Sequence, residues 1–418
     1  MYQAARGTSD ILPEEQPYWR YVEQVITDIT RLYGYGRIDT PIFEDTSLFR
    51  RGTGEYTDIV QKEMYTFDDR GGNSLTLKAE GTPPVCRAYI QHGLQNLPQP
   101  VKLYYVSPIF RYDRPQAGRY RQHFQFGYEA IGDADPAIDA EVIDMAWRFY
   151  RSLGLTRITL QLNSIGCKQC RPGYLAVLNE HYQKYAGDLC ADCKTRLEKN
   201  PLRLLDCKQA SCQKIAESAP KNTGHLCAEC AEHFDKVQEY LGQMDIPFEL
   251  NHRLVRGLDY YTRTVFEVQP EEEGAQSTLG GGGRYDDLIE ELGGKPTPAI
   301  GFAAGIERII INLKKEGVSV PVAPGLRALI AYLGDAAMTM ALKLAADLRG
   351  AGIGAVTTTG GKSLKAQMRQ ANSLQVPYTV IIGEDEVKAG TAVLRDMANA
   401  SQETLAIGEL PAKLKGSG

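Results

Sequence analysis

Hydrophobic and polar positions along this chain follow two different periods. Tyr18, Val22, Val25, Ile29 and Leu32 recur three and four residues apart, which predicts an opening amphipathic helix stopped by Gly34 and Gly36. Runs rich in aromatic and β-branched residues at 74–78, 101–112 and 122–131 predict strands. The last two enclose a polar loop at 113–121, so a long antiparallel hairpin is expected. A helix from Pro136 to Leu153 and a strand at 157–163 follow. Between Cys167 and about Met244 the β-branched residues thin out and Lys and Glu abound, the texture of a small helical insertion over about 167–245. Strands return at 247–250 and 263–269, and a glycine run fills Gly280 to Gly283. An apolar stretch from Ala299 then passes into a helix with Glu307 and Arg308 in its first turns. Lys314 to Pro324 reads as a linker. Beyond it, apolar strands (327–333, 353–357, 378–382) alternate with helical patterns (336–350, 363–374), as in a small α/β domain. Two domains are therefore expected, 1–324 and 325–418.

Composition narrows the class. A chain of 418 residues exceeds one ordinary domain, and 43% hydrophobic with 24% charged residues excludes wholesale disorder. No stretch approaches the ~20 apolar residues of a membrane span, and the start lacks the basic end and apolar run of a signal peptide. No membrane association and a cytoplasmic location are expected. The formal net charge is -5, so any nucleic-acid surface must be local. From Gly325 onward ten Lys and Arg stand against eight Asp and Glu, while the remainder has 37 against 44. No acid occurs between Leu348 and Gly383, where Arg349, Lys362, Lys365 and Arg369 lie.

Three segments carry candidate chemistry. In the hairpin, Arg111, Arg114, Gln116, Arg119 and Arg121 crowd the loop, while Gln125, Gly127 and Glu129 share one face of the return strand. That suits a ligand with phosphate and amine groups, and equally a solvated, salt-bridged hairpin. In Leu254-Val255-Arg256-Gly257-Leu258-Asp259-Tyr260-Tyr261, an arginine beside glycine lets a guanidinium and a backbone approach a phosphate; the tyrosines line a pocket or pack in the sheet. At Ile306-Glu307-Arg308 a cation in the first turn of a helix runs against the dipole unless it faces an anion. The glycine run lacks the Lys-Ser/Thr ending of a phosphate loop. Eight of nine cysteines fall in the insertion: Cys167/Cys170, Cys190/Cys193 and Cys227/Cys230 as C-x2-C pairs, with Cys207 and Cys212 between. The 171–189 gap between the first two pairs fits a four-cysteine zinc site. Reduced, packed thiols fit as well. Cys86 reads as a packed helix residue.

Taken in order, these segments resemble a family. Phe110-Arg111-Tyr112-Asp113-Arg114 through Arg121-Gln122 is similar to motif 2 of the class II aminoacyl-tRNA synthetases, Gly301 to Arg308 to their motif 3, and the helix leading to Asp39-Thr40-Pro41 to motif 1. Arg256-Gly257-Leu258-Asp259-Tyr260-Tyr261, Glu80-Gly81-Thr82 and the Gly7-Thr8-Ser9-Asp10 opening resemble the histidyl-tRNA synthetase family, of bacterial type. Asp113 replaces a commoner Glu, Lys78-Ala79 replaces Arg-Pro, and His123-Phe124 reverses the frequent order.

The resemblance implies an α+β fold: a class II antiparallel-sheet catalytic domain with a helical insertion, plus a C-terminal α/β anticodon-binding domain. It implies ATP-dependent activation of L-histidine, then transfer to tRNA(His), by a homodimer using Mg²⁺; structural zinc in the insertion stays open. Arg256 and Arg111 would be catalytic, stabilising charge that builds on phosphorus. Arg111, Phe124 and Arg308 would bind ATP, with Phe124 stacked on adenine. Glu80, Gly81, Thr82, Arg111, Gln125, Glu129, Arg256, Tyr260 and Tyr261 would form the histidine site, Glu129 and Tyr261 reading the ring nitrogens. Reading both nitrogens makes an editing domain unnecessary. Arg114, Gln116 and Arg119 would meet the tRNA acceptor end, and Lys362, Lys365 and Arg369, on one helical face, the anticodon arm. Two alternatives of other classes are a non-catalytic histidine-sensing regulatory paralogue of ATP phosphoribosyltransferase, and a zinc-dependent RNA-binding protein.

Overall fold

The computed structural model describes residues 2–271, 278–322 and 325–415; Pro324, at the end of the expected linker, and the last three residues of the tail lie outside the described residues. The chain divides into two compact units, Met1–Val320 and Pro321–Gly418.

The first unit is built on an eight-stranded sheet in the order Gly36–Arg37, Val101–Phe110, Gln122–Ile131, Ala299–Gly305, Gly280–Arg284, Thr262–Pro270, Ile158–Ser164, Glu249–Leu250. The six inner strands pair antiparallel, and the two-residue strands at the edges add in parallel. The expected hairpin is the pair running from Val101 opposite Ile131 to Phe110 opposite Gln122. Strand alternation sends Phe126 and Tyr128 to one face, where Gln16–Leu32, Pro136–Ser152 and Ile306–Lys315 cover them. The middle helix starts where the sequence stops it from starting earlier: the Asp135 carboxylate accepts from Ala137 N–H at 2.8 Å and Pro136 fills the first turn. Its Phe149 and Tyr150 then interlock with Phe126 and Phe302, ring centroids 4.9 Å (Phe126–Phe149) and 6.2 Å (Tyr150–Phe302) apart. Aromatic packing on this face leaves the other for polar groups.

The glycine run is a central strand, Gly280–Arg284, rather than a loop. A Cβ on Gly281 would stand 2.6 Å from Arg256 Nη1 and 2.7 Å from the Phe266 carbonyl, so glycine is what lets an arginine lie flat on the sheet. The insertion is helical: Arg171–Gln183, Ala191–Lys199 and Ala210–Glu217 pack around Tyr174, Leu178 and Tyr182, while Ala228–Gln243 puts Phe234, Val237 and Leu241 into the core shared with Pro136–Ser152. Cys86 is buried in the helix Thr82–Gln91.

The second unit has a five-stranded sheet: Ala355–Thr357, Ala328–Tyr332 and Tyr378–Ile382 run parallel, and Thr391–Asp396 and Gln402–Ala406 extend it antiparallel. Gln402–Ala406 is almost wholly exposed, so it carries no apolar alternation by which a strand would be recognised. The expected cationic face of the helix Leu364–Ser373, between Ala355–Thr357 and Tyr378–Ile382, is corrected in one residue. The helix starts at Leu364, so Lys365 and Arg369 share its exposed face while Lys362 precedes it, reaching Gln370 Oε1 with Nζ at 3.1 Å. Among the described residues no helix is long and apolar enough to cross a membrane.

Candidate active site

On the polar face of the first unit's sheet lies a cavity of ≈ 330 Å³. The hairpin supplies Arg111, His123 and Gln125 to it, the helix Ile306–Lys315 supplies Glu307 and Arg308, and the segment before Thr262–Pro270 supplies Arg256 and Tyr261. Arg111 is aimed by its Nε–H, which donates to the Ala79 carbonyl at 2.7 Å. Arg308 donates Nε–H to Gly118 O at 2.8 Å and Nη1–H to Thr278 O at 3.0 Å. Arg119 pairs with Asp113 at 3.0 Å on the same wall. These cations press on one another. Burial, then Arg119 and Arg111, lower the pKa of Arg308. Burial, then Arg111 and Arg308, hold the His123 imidazole neutral, lowered to about 3. Five arginines (Arg111, Arg119, Arg203, Arg256 and Arg308) line the cavity beside five carboxyl side chains (Asp58, Glu63, Glu80, Asp113 and Glu307), and the guanidiniums of Arg111, Arg119 and Arg308 still repel one another.

Arg256 lies across the glycine strand in an ion pair with Glu267, which also accepts from Gln269 Nε2 and Thr278 Oγ1, each at 2.8 Å. Burial, the largest single effect, works against its charge, but Glu267, Tyr261 and Tyr260 together raise the guanidinium pKa. Its Nε finds no partner among the described residues, and neither does Gln125 Oε1 or Tyr105 Oη. Native proteins satisfy nearly all such buried polar atoms. Two of these, Arg256 Nε and Gln125 Oε1, belong to residues lining the cavity and mark places for a ligand's hydrogen bonds.

Glu80 accepts at Oε2 from Thr82 N–H at 2.9 Å, capping the helix Thr82–Gln91; burial raises its pKa and Arg111 opposes that. Glu129 is fully buried behind the cavity wall, where Tyr285 Oη donates to it at 2.5 Å and Thr82 Oγ1 at 2.7 Å. Burial pushes its carboxyl well up, against those two hydrogen bonds. Glu307 accepts from Phe124 N–H at 2.9 Å, and burial brings it to about 7. Tyr260 packs between Tyr261 and Tyr285, centroids 4.6 and 5.7 Å away, and Gly81 precedes the capped helix; neither lines the cavity. Arg114 and Gln116 stand exposed on the hairpin loop.

Phe124 is a correction. It turns away from the cavity and packs edge-on against Trp19, centroids 5.3 Å apart, while His123 lines the cavity in its place. The reason is alternation: a residue adjacent to Gln125 on a strand cannot share its face. Nothing in the sequence pattern singled out Asp58, Glu63, His123 or Arg203, which also line the cavity. For His123 the signal was available, since it stands two residues before Gln125.

The insertion's cysteines gather into two sets, Cys167, Cys170, Cys227 and Cys230, and Cys190, Cys193, Cys207 and Cys212. The first pair thus joins the last, not the second as the spacing suggested. Sulfur–sulfur distances of 3.8 Å (Cys167–Cys170), 3.9 Å (Cys167–Cys227) and 3.9 Å (Cys190–Cys207) are far too long for disulfides. They match the ~3.8 Å edge of a tetrahedron whose metal–sulfur bonds are about 2.3 Å.

A family model described as Histidyl-tRNA synthetase matches residues 7–309, and one described as Anticodon binding domain matches 327–417. The chain is 60% identical over 415 residues to a Histidine--tRNA ligase of Dehalococcoides mccartyi, covering 99% of both, and 51% identical over 405 residues to one of Desulforamulus reducens, covering 97% of both. A crystal structure of apo histidyl-tRNA synthetase from S. aureus superposes with a TM-score of 0.82 at 39% identity, over 99% of this chain and 100% of that one.

Proposed function

Because the chain belongs to the histidyl-tRNA synthetase family, we propose that the arginine-lined cavity is where it activates histidine. The protein is a class II ligase that joins L-histidine to tRNA(His) in two steps: histidine and ATP give histidyl-adenylate and pyrophosphate, and the histidyl group then passes to the 3′ end of the tRNA with release of AMP. ATP, as its Mg²⁺ complex, is a substrate.

The observation that carries this reading is the set of guanidiniums pressed together around a neutral His123. A polyanion relieves what repulsion the neighbouring carboxylates leave, and a triphosphate is one. Arg111, Arg308 and Arg119 hold the phosphates. Arg256, with Nε unsatisfied, bridges the histidine carboxylate and the α-phosphate. Glu80, Thr82 and Gln125 take the ammonium. As Thr82 turns toward it, Glu129 Oε1 comes free for one ring nitrogen, and Tyr261 takes the other. His123, rather than Phe124, faces the adenine. Arg114 and Gln116 meet the acceptor end of the tRNA, and the second unit the anticodon arm, with Lys365, Arg369 and Lys362 binding its phosphates.

The two tetrahedral thiol sets hold structural zinc, one ion each, acting as cross-links of the insertion. The segment like motif 1 supports a homodimer, and the family a cytoplasmic enzyme. The match of 327–417 to an anticodon binding domain argues against the regulatory paralogue. Histidine-dependent exchange of pyrophosphate into ATP tests the reading. Exchange with histidine and with no other amino acid is expected; no exchange in a folded protein that binds histidine would favour the regulatory alternative.

A further inference from the structure

The two thiol sets differ in what they hold. Cys167 and Cys170 follow the strand Ile158–Ser164, and Cys227 and Cys230 open the helix Ala228–Gln243, so that set closes the insertion at its base. The other set lies inside the insertion, and the chain between its members reaches the reaction cavity. Asp206 immediately precedes Cys207, and Arg196 follows Cys193 by one helical turn. On the turn Pro201–Leu204 between them, Arg203 donates Nε–H to Asp206 Oδ2 at 3.1 Å and Nη1–H to the Gly257 carbonyl at 3.3 Å. Its Nη2 stands 3.9 Å from Asp58, which Arg196 also approaches at 3.7 Å. Asn200 donates to Asp259 Oδ1 at 2.6 Å. A Cβ at position 257 would stand 3.2 Å from Arg203 Nη1, so the guanidinium sits close against the backbone next to Arg256. One short path thus runs from Cys207 through Asp206, Arg203 and Gly257 to Arg256.

Resting on the zinc reading above, we propose that the Cys190–Cys193–Cys207–Cys212 centre is a metal site that sets Arg203 in the cavity wall, so that histidine activation depends on metal in this centre. Four thiolates around zinc fix the chain at Cys207 to within tenths of an ångström, and second-sphere groups inherit that order. Without the ion, four thiols at these distances offer only weak S–H hydrogen bonds. Asp206 then loses its fixed position, and with it Arg203 its hold on Gly257. Arg203 is a positioning residue: it acts on the backbone that presents Arg256.

The test combines zinc analysis of protein purified without chelators with histidine-dependent pyrophosphate exchange, for the parent, Cys207→Ser, Arg203→Ala and the double variant. Two zinc ions per chain are expected in the parent and one in Cys207→Ser, since one of the two four-cysteine sets is broken. Both single variants should lose kcat on the order of tenfold, as a misplaced active-site group does. KM for histidine and for ATP should stay within about twofold, because the ligand-binding groups remain. The double variant should be no worse than the singles, and Arg203→Lys should recover little, since a single ammonium cannot hold Asp206 and Gly257 together. A zinc-free parent would overturn the zinc reading itself. A Cys207→Ser protein that loses one zinc yet exchanges at the parent rate, or losses that multiply in the double variant, would overturn the coupling alone. If Cys207→Ser does not fold, Arg203→Ala in the intact centre decides: unchanged kcat, or a raised KM alone, overturns the proposal.

Discussion

The reaction cavity and the helix Leu364–Ser373 both gather cations, under opposite conditions. In the cavity, Arg111, Arg119 and Arg308 share one wall; burial first, then Arg119 and Arg111, lower Arg308, and burial first, then Arg111 and Arg308, keep His123 uncharged. On the helix, Lys365 and Arg369 stand in solvent four residues apart. Water and salt screen the second group within about 10 Å at 0.1 M ionic strength, so its arrangement costs the fold almost nothing. The first group is expensive to hold without an anion. Guanidiniums that repel one another in a partly buried wall therefore point to a ligand, whereas exposed cations are compatible with any solvated helix face.

The sharpest way to break that contrast is Arg256. It is a cavity cation held by a carboxylate partner, Glu267, and it keeps an unsatisfied Nε. Arg256→Ala should cut histidine-dependent pyrophosphate exchange by on the order of 10²–10³, the range for losing one donor to charge that develops in the transition state. Histidine affinity should fall far less, since Glu80 and Gln125 still face the cavity. Exchange near the parent rate with lost thermal stability would make the Arg256–Glu267 pair a structural one.

Reading these regions from sequence succeeded where side chains repeat and failed where they do not. The hairpin's aromatic and β-branched residues define both strands to within two residues. Gly280–Arg284 has almost no side chains to alternate, so a central strand looks like a loop until Arg256 is seen lying on it. Arg203 and Asp58 are ordinary charges in charged stretches, and folding alone brings them together. The cysteine spacing pointed to Cys167/Cys170 with Cys190/Cys193, but proximity along the chain does not determine which pairs meet when helices intervene. Lys362 does not share a helical face with Lys365 and Arg369 because the helix begins at Leu364, and the 363–374 pattern itself already left position 362 outside it.

The exposed side of the comparison is tested by replacing Lys362, Lys365 and Arg369 with Ala together. Binding of tRNA should weaken by about tenfold near physiological salt. The slope of log affinity against log salt should flatten by up to about 3, one for each phosphate these side chains neutralise. Pyrophosphate exchange, which needs no tRNA, should be unchanged. An unchanged salt slope would return this helix face to solvent and leave the anticodon arm to other residues of the second unit.

The smallest expected effect lies in the buried cluster itself. His123 has a pKa lowered to about 3 in the fold, by burial first and then by Arg111 and Arg308, from an ordinary value of 6.5. Between those two values the unfolded chain binds a proton that the folded chain does not. Stability therefore rises with pH across this window and is lost as pH falls below about 6.5. His123→Phe removes that titration and keeps an aromatic ring at the cavity wall. Chemical denaturation of the parent should give a first-unit stability that drops by up to about 1 kcal/mol more than the variant's between pH 7.5 and 5.5, allowing for the partial exposure of the ring. A saturating non-hydrolysable ATP analogue should narrow the gap, because its phosphates neutralise the two arginines that repel the imidazolium. Parallel pH profiles for parent and variant, with and without nucleotide, would mean that the arginines do not press on this position, and the charge crowding that marks the cavity as a triphosphate site would have to be sought elsewhere on its wall.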